Sequence, residues 1–229
     1  MANRNTVGFG LIPSGALGAT PSTGGQNKYK IDSGYGSSIY LGQPVQYDTA
    51  GGANDNPGYV INGQDAITRP TIGVFNGCFY TDANTLKPTF SSFFARTTAP
   101  ANSEDIDAFI IDNPFQQYNV QLSGRLGATA AAAQAEMGKT LGLTVSANGA
   151  ASANSGSTLS GQSNSQLTVG GSTAVANQWR LLRSAEDPEN EDLITTPQLN
   201  PALAGFSGQA TVVVVANQSQ WFGSGQVSA

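Results

Sequence analysis

Apolar and polar residues alternate with period two over much of the chain, as in strands that bury one face. Tyr118, Val120 and Leu122 alternate with Asn119, Gln121 and Ser123, and Leu141, Leu143 and Val145 resume the pattern further on. Trp179 and Leu181 occupy one face of the run at 178–183 (QWRLLR), Arg180 and Leu182 the other. Tyr29 and Ile31 mark a strand over Lys28–Asp32. Ile39, Leu41, Val45 and Tyr47 mark another over Ser38–Tyr47, bent at Gly42-Gln43-Pro44. Two runs are apolar without alternation, Ala108–Asp112 and Val212–Val215 within Thr211–Ala216. Both read as strands buried on two faces.

The block Ile67–Phe94 allows two readings. Asn76-Gly77 between apolar runs is a hairpin signal. The alternative, preferred here, keeps Thr71–Thr81 as one strand with a glycine bulge and turns at Asp82-Ala83-Asn84. Lys87–Phe94 then supplies a returning strand of sensible length. Period two breaks once more, between Gly127 and Gly138. Residues Ala128–Met137 are strong helix formers, with Thr129 as N-cap and Gly138 as the stop. About ten residues make no stable isolated helix, so packing must hold it. Ala130, Ala133 and Met137 would form a narrow face that lies close against a sheet.

Many short strands with one helix predict a mainly β fold, most simply a small barrel plugged or covered by that helix. Composition agrees: 229 residues suffice for a substantial core. Only 11% of residues are charged, against about 25% in ordinary soluble proteins. Abundant Gly, Ser, Thr, Asn and Gln imply a neutral polar surface with many turns. The segment 146–166 (SANGAASANSGSTLSGQSNSQ) is uncharged and low in complexity, and by composition is expected outside any core. A net charge of −5 argues against a nucleic-acid binder, which would carry a basic patch. Cys78 is the one cysteine, so no internal disulfide forms; with no histidine to activate it, it reads as a small core residue. The first residues, MANRNTVGFGLIP, hold no apolar segment of the kind a secretory signal needs, and no run approaches the ~20 apolar residues of a membrane span. The expected setting is cytosol-like.

Catalytic chemistry is hard to assemble from these residues. The absence of histidine removes Ser–His–Asp and Cys–His systems and histidine metal ligation. GFG at 8–10 and GYG at 34–36 do not extend into a phosphate- or dinucleotide-binding motif. Asn54, Asp55 and Asn56 match no standard calcium loop. Glu104, Asp105 and Asp107 read as solubilising residues. The run Ala185–Asp192 (AEDPENED) holds five of the fifteen acidic residues and reads as a solvated loop, with a metal or basic-partner site as the alternative. The expectation is a protein with no enzymatic activity, no cofactor and no metal.

The termini look different. Residues 1–27 are Gly-, Pro-, Ser- and Thr-rich around one apolar knot, Phe9-Gly10-Leu11-Ile12-Pro13. Such a knot needs a place to be buried, so the segment reads as an extended arm docking on a neighbouring subunit rather than a frayed end. Trp221 and Phe222 in the tail 217–229 point to a contact, back onto the domain or onto a partner. Residues 28–216 would form the barrel domain.

A set of segments in order carries a family resemblance: FGLIP (9–13), YLGQPV (40–45), GVFNGCFYTD (73–82), KPTFSSFF (87–94), FIIDNPFQQYNVQ (109–121), EMGKTLGL (136–143), WRLLR (179–183) and VVVVANQSQW (212–221). The chain resembles tailed-phage virion proteins, common in marine phages, that decorate or cement capsids. Where relatives end the last strand near a histidine, this chain has Gln220-Trp221. The resemblance implies a β-barrel or β-tulip domain with one short helix, bound outside an icosahedral shell as an oligomer, often a trimer. The implied partners are the major capsid protein and further copies of the chain, with no nucleic acid and no membrane. The implied location is the outer capsid surface, after synthesis in the bacterial cytoplasm. Arg4, Phe9, Leu11 and Ile12 in the arm, with Trp221 and Phe222 in the tail, are the candidate contact residues. The competing reading is a head-fibre or adhesin module that binds host glycan through Tyr35, Tyr59 and Trp179.

Overall fold

The chain builds its core twice, on two antiparallel sheets. The structure is a computed structural model that describes residues 8–18, 25–48, 58–63, 70–124, 126–127, 129–145, 156–169, 177–185, 210–217 and 219. The first sheet has five strands in the order β1 (Ile12–Ala16), β8 (Gln116–Gln121), β13 (Thr211–Ala216), β12 (Trp179–Ser184) and β9 (Thr140–Leu141). The second runs β2 (Asn27–Ile31), β7 (Ile106–Ile111), β5 (Gly73–Thr81), β3 (Pro44–Tyr47) and β4 (Val60–Asn62). β6 (Pro88–Ser91) also pairs with β5, on the half of that long strand that β3 leaves free. A two-stranded ribbon, β10 (Leu143–Val145) with β11 (Ser165–Leu167), lies beside β8 through a bridge from Leu122 to Leu167.

The mainly β class holds, but the sheets do not close into a barrel; the two-sheet arrangement is consistent with a β-sandwich. The reason lies in the alternation along β5 and β7. Val74 and Ile111 turn toward a first core, built on Tyr118, Val120, Trp179, Leu181, Val212 and Val214. Their neighbours Phe75 and Ile110 turn toward a second, with Ile31, Val45, Ile72, Cys78 and Ile106. Because side chains alternate along a strand, β5 and β7 serve both cores at once. Two cores sharing a wall call for two sheets rather than one closed cylinder. β2 meets the residues just before β4 through an isolated parallel bridge, Lys30 to Tyr59, with the Lys30 N–H donating to Gly58 C=O at 3.2 Å, and not through a ladder.

The bulged single-strand reading of 71–81 is the observed one. The register slips between Phe75 and Gly77, and Asp82 makes the following turn, its carboxylate accepting the N–H groups of Asn84 and Thr85. The hairpin at Asn76-Gly77 does not form. The helix α1 (Ala130–Glu136) is capped by Thr129, whose hydroxyl accepts the Ala132 N–H at 3.2 Å. Ala133 and Met137 put it on the first core, as the narrow-face reading requires.

The polar segment departs from expectation. Ser163, Ser165 and Gln166 are buried. Composition argued against this, but buried polar groups are tolerated when they are paired. Here the Ser163 and Ser165 hydroxyls lie 2.7 Å apart, and the Gln166 amide donates to Gln121 Oε1 at 2.7 Å. Gly156 lets this stretch run against the Tyr40 ring, where a Cβ would come within 2.2 Å.

Candidate functional site

Three of the six candidate contact residues, Phe9, Leu11 and Ile12, lie among the described residues and are neighbours in the structure. Arg4, Trp221 and Phe222 lie outside them, as do the loop 49–57 with Asn54, Asp55 and Asn56, and the acidic run from 186 to 192.

Residues 8–11 form a strap between the bend at 41–43 and the stretch at 162–166. The Gly10 N–H donates to Ser165 C=O and the Leu11 N–H to Gly42 C=O, at 3.2 and 2.8 Å, while the Gln162 amide donates to Phe9 C=O. Gly8 and Gly10 make this approach possible. A Cβ at Gly8 would lie 2.4 Å from Asn164 C=O, and Gly10 has φ +76° with Gly42 C=O 2.8 Å from its would-be Cβ. Glycine alone accepts both conditions at no steric cost. The strap delivers Leu11 into the first core, 1% exposed. This corrects the reading of 1–27 as one arm set aside for a neighbour: Leu11 is buried by its own chain, and Ile12–Ala16 is an edge strand of its own first sheet.

Ile12 remains 42% exposed. It stands beside an apolar cleft of about 190 Å³, in which Phe9, Leu11 and Ile12 face Val74 and Ile111, with the amides of Asn76 and Gln162 as side-chain polar groups. Among the described residues, no charged one lines it. Engineered apolar cavities of ~150 Å³ hold one benzene, so the cleft has room for one apolar side chain of a partner. Along the same edge, Leu17 and Phe115 are also exposed, joined by a bond from the Leu17 N–H to Phe115 C=O at 2.8 Å. Among the described residues β1 pairs with β8 alone, and its other side is blunted for strand addition. Pro13 has no N–H to donate, and the register shifts between Pro13 and Gly15. Contact here would run through side chains. Sequence reasoning missed Leu17 and Phe115; the signal was faint, one apolar residue each beside Gly18 and Pro114.

The possible glycan aromatics are not brought together. Trp179 is fully buried in the first core, edge-on to Tyr118 at 5.7 Å. Tyr35 packs on the second core and stacks on Phe94, its hydroxyl accepting the Asn62 N–H. The Tyr59 hydroxyl donates to the Asp105 carboxylate, a bond that pushes its pKa up to about 12.

Asp105 and Asp107 are therefore engaged rather than merely solubilising. Asp107 accepts a hydrogen bond from Lys28 at 2.9 Å and forms an ion pair with Lys30 at 2.5 Å. Partial burial would raise its pKa, but the two ammonium groups outweigh it and hold the carboxyl below the usual range. Cys78 belongs to the second core, and burial pushes its thiol up to about 12. Among the described residues, no three His, Cys, Asp or Glu side chains are placed to hold a metal ion.

Comparison with known proteins returns no match to a family model, a curated protein or a solved structure.

Proposed function

We propose that this chain is a non-enzymatic virion structural protein that decorates and cements the outer surface of an icosahedral phage capsid, through contacts with the major capsid protein and with neighbouring copies. The observation that carries the reading is the β1 edge: Ile12 is exposed at an apolar cleft that has no charged lining residue among the described ones, and Leu17 is exposed just past the other end of the strand. Apolar side chains gathered at one edge are unfavourable in water, and the free energy falls when a partner covers them. The ordered segments that resemble phage decoration proteins supply the identity of that partner. Many copies around one shell would multiply contacts that are weak singly, and a ligand of the assembled lattice stabilises it by mass action.

The test is co-sedimentation of the purified protein with heads of the parent phage that lack it. Wild type is expected to bind saturably. Ile12→Ser and Phe115→Ser should each weaken binding about tenfold, the equivalent of roughly 1.4 kcal/mol of lost apolar contact. Removal of residues 2–13 is unsuited to this purpose because it takes Leu11 out of the first core; a deletion of residues 2–7 spares it. Wild type that fails to sediment with heads, and binds a glycan array instead, refutes the decoration reading in favour of an adhesin.

A further inference from the structure

The cleft beside Ile12 has a polarity that narrows what can fill it. Leu11, Val74 and Ile111 give it apolar walls, and among the described residues no charged side chain lines it. The backbone groups alongside are spent inside the fold: Leu11 N–H on Gly42 C=O at 2.8 Å, Gly42 N–H on Phe75 C=O and Leu41 N–H on Gly161 C=O, both at 2.9 Å. What remains is a pair of carboxamides. The Asn76 amide nitrogen is turned to Gln26 Oε1 at 2.7 Å, and that of Gln162 to Phe9 C=O at 3.1 Å. A carbonyl can only accept, so the Gln162 amide is fixed with its nitrogen on Phe9. Its oxygen, which has no partner among the described residues, is the acceptor left over. The guest that suits such a cleft is neutral and apolar, with one hydrogen-bond donor on its rim.

Among protein side chains, tyrosine and tryptophan join a large apolar body to a single donor. Size separates them. The cleft holds about 190 Å³, and an apolar cavity of ~150 Å³ takes one benzene. In proportion there is room for about one or two atoms more than benzene; phenol adds one and indole three. Neither this chain nor a second copy supplies the phenol. All seven tyrosines lie among the described residues and none is exposed. Tyr29, Tyr35, Tyr59 and Tyr118 also have their hydroxyls bonded within the chain. We infer that the cleft is a socket for a tyrosine side chain presented by the capsid shell, its ring against Leu11, Val74 and Ile111 and its hydroxyl donating to the Gln162 amide oxygen. This rests on the decoration reading above and adds the residue that the partner brings. A sugar fits less well, since most of its hydroxyls would face apolar walls, and a charged group would lose its hydration with no counter-charge to meet it.

The experiment titrates the isolated protein with phenol and with toluene, which carries a methyl group in place of the hydroxyl. Methyl NMR signals of Leu11, Ile12, Val74 and Ile111 report on the cleft. Phenol is expected to shift these signals and to saturate. In Gln162→Met, phenol should bind about fivefold more weakly or worse, because its hydroxyl is left unpaired, while toluene binds as it does to wild type. Retained toluene binding shows that the cleft has kept its shape, so a loss confined to phenol reads the hydrogen bond. Phenol that leaves the four residues unmoved, or that loses nothing in Gln162→Met, overturns the inference. So does phenol that enters only after Trp221→Ala, which would give the cleft to the chain's own tail. Head co-sedimentation is the second arm: Gln162→Met should bind heads about fivefold more weakly, and phenol should displace wild type. If phenol fills the cleft and wild type stays bound to heads, the inference falls while the decoration reading stands. If wild type does not bind heads at all, both fall, whatever phenol does.

Discussion

Leu11→Ala separates a strap that belongs to the fold from an arm that waits for a partner. The Leu11 side chain is 1% exposed in a cluster with Val74, Ile111 and Tyr118. Truncation to alanine removes three buried carbons, worth roughly 2.5 kcal/mol of transfer free energy at about 0.8 kcal/mol per group. A sealed cavity would add to this, and measured Leu→Ala costs run from about 2.7 to 5 kcal/mol. Here the vacated space opens onto the cleft beside it. Water or neighbouring side chains can enter, so the low end applies, about 3 kcal/mol. With a urea m value of about 3 kcal/mol/M for a chain of this size, the midpoint should fall by about 1 M with m unchanged. The assay is equilibrium unfolding of the isolated protein followed by tryptophan fluorescence. Ile12→Ala, at the exposed neighbouring position, is the control and should cost about 1 kcal/mol or less. A Leu11→Ala midpoint that coincides with wild type in the isolated protein would refute the packing argument and return residues 8–16 to the status of an arm.

Other outcomes follow from the same geometry. Gly156→Ala would drive a Cβ into the Tyr40 ring, which is stacked on Phe93 at 5.7 Å; overpacking of this kind costs about 1–3 kcal/mol, visible as a lower melting temperature. Cys78, with its thiol pushed up to about 12 by burial, should resist alkylation at pH 8 in the native protein and react at the rate of unfolding once denaturant is added. Asp107 has a folded pKa below its unfolded value, so its pairing with Lys28 and Lys30 contributes stability above the unfolded pKa and loses it as pH falls through the folded one. Melting temperatures of wild type and Asp107→Asn should accordingly differ at pH 6 and converge in acid, once the pH has fallen through the lowered folded pKa; a difference that persists unchanged into acid would refute that role.

Local chemistry was enough for the elements that depend on near neighbours. Val212–Val215 has no polar position to expose, and β13 is the central strand of the first sheet, with all four valines buried. Phe109-Ile110-Ile111 ends β7, where Ile110 and Ile111 serve opposite cores. Trp179 and Leu181 share the buried face of β12, and Thr129 and Gly138 bracket α1. The acidic side chains were less legible. Asp105 and Asp107 look like loop decoration until Tyr59, Lys28 and Lys30 arrive from far away in the chain.

What the sequence determined by itself was period, turn chemistry and helix capping, because each is decided within a few residues of backbone. What only the tertiary structure decided was pairing between distant segments. It alone made two open sheets of strands that could have closed into a barrel, because β5 and β7 each feed two cores. It alone turned Leu11 inward, since the partners of the strap, Gly42 and Ser165, lie more than thirty and more than one hundred and fifty residues away. It buried Ser163, Ser165 and Gln166 by giving them one another and Gln121, a compensation that composition cannot register. An aromatic strip on the second sheet has the same origin: Phe79, Phe90 and Phe109 become one surface only when β5, β6 and β7 align in register around a glycine.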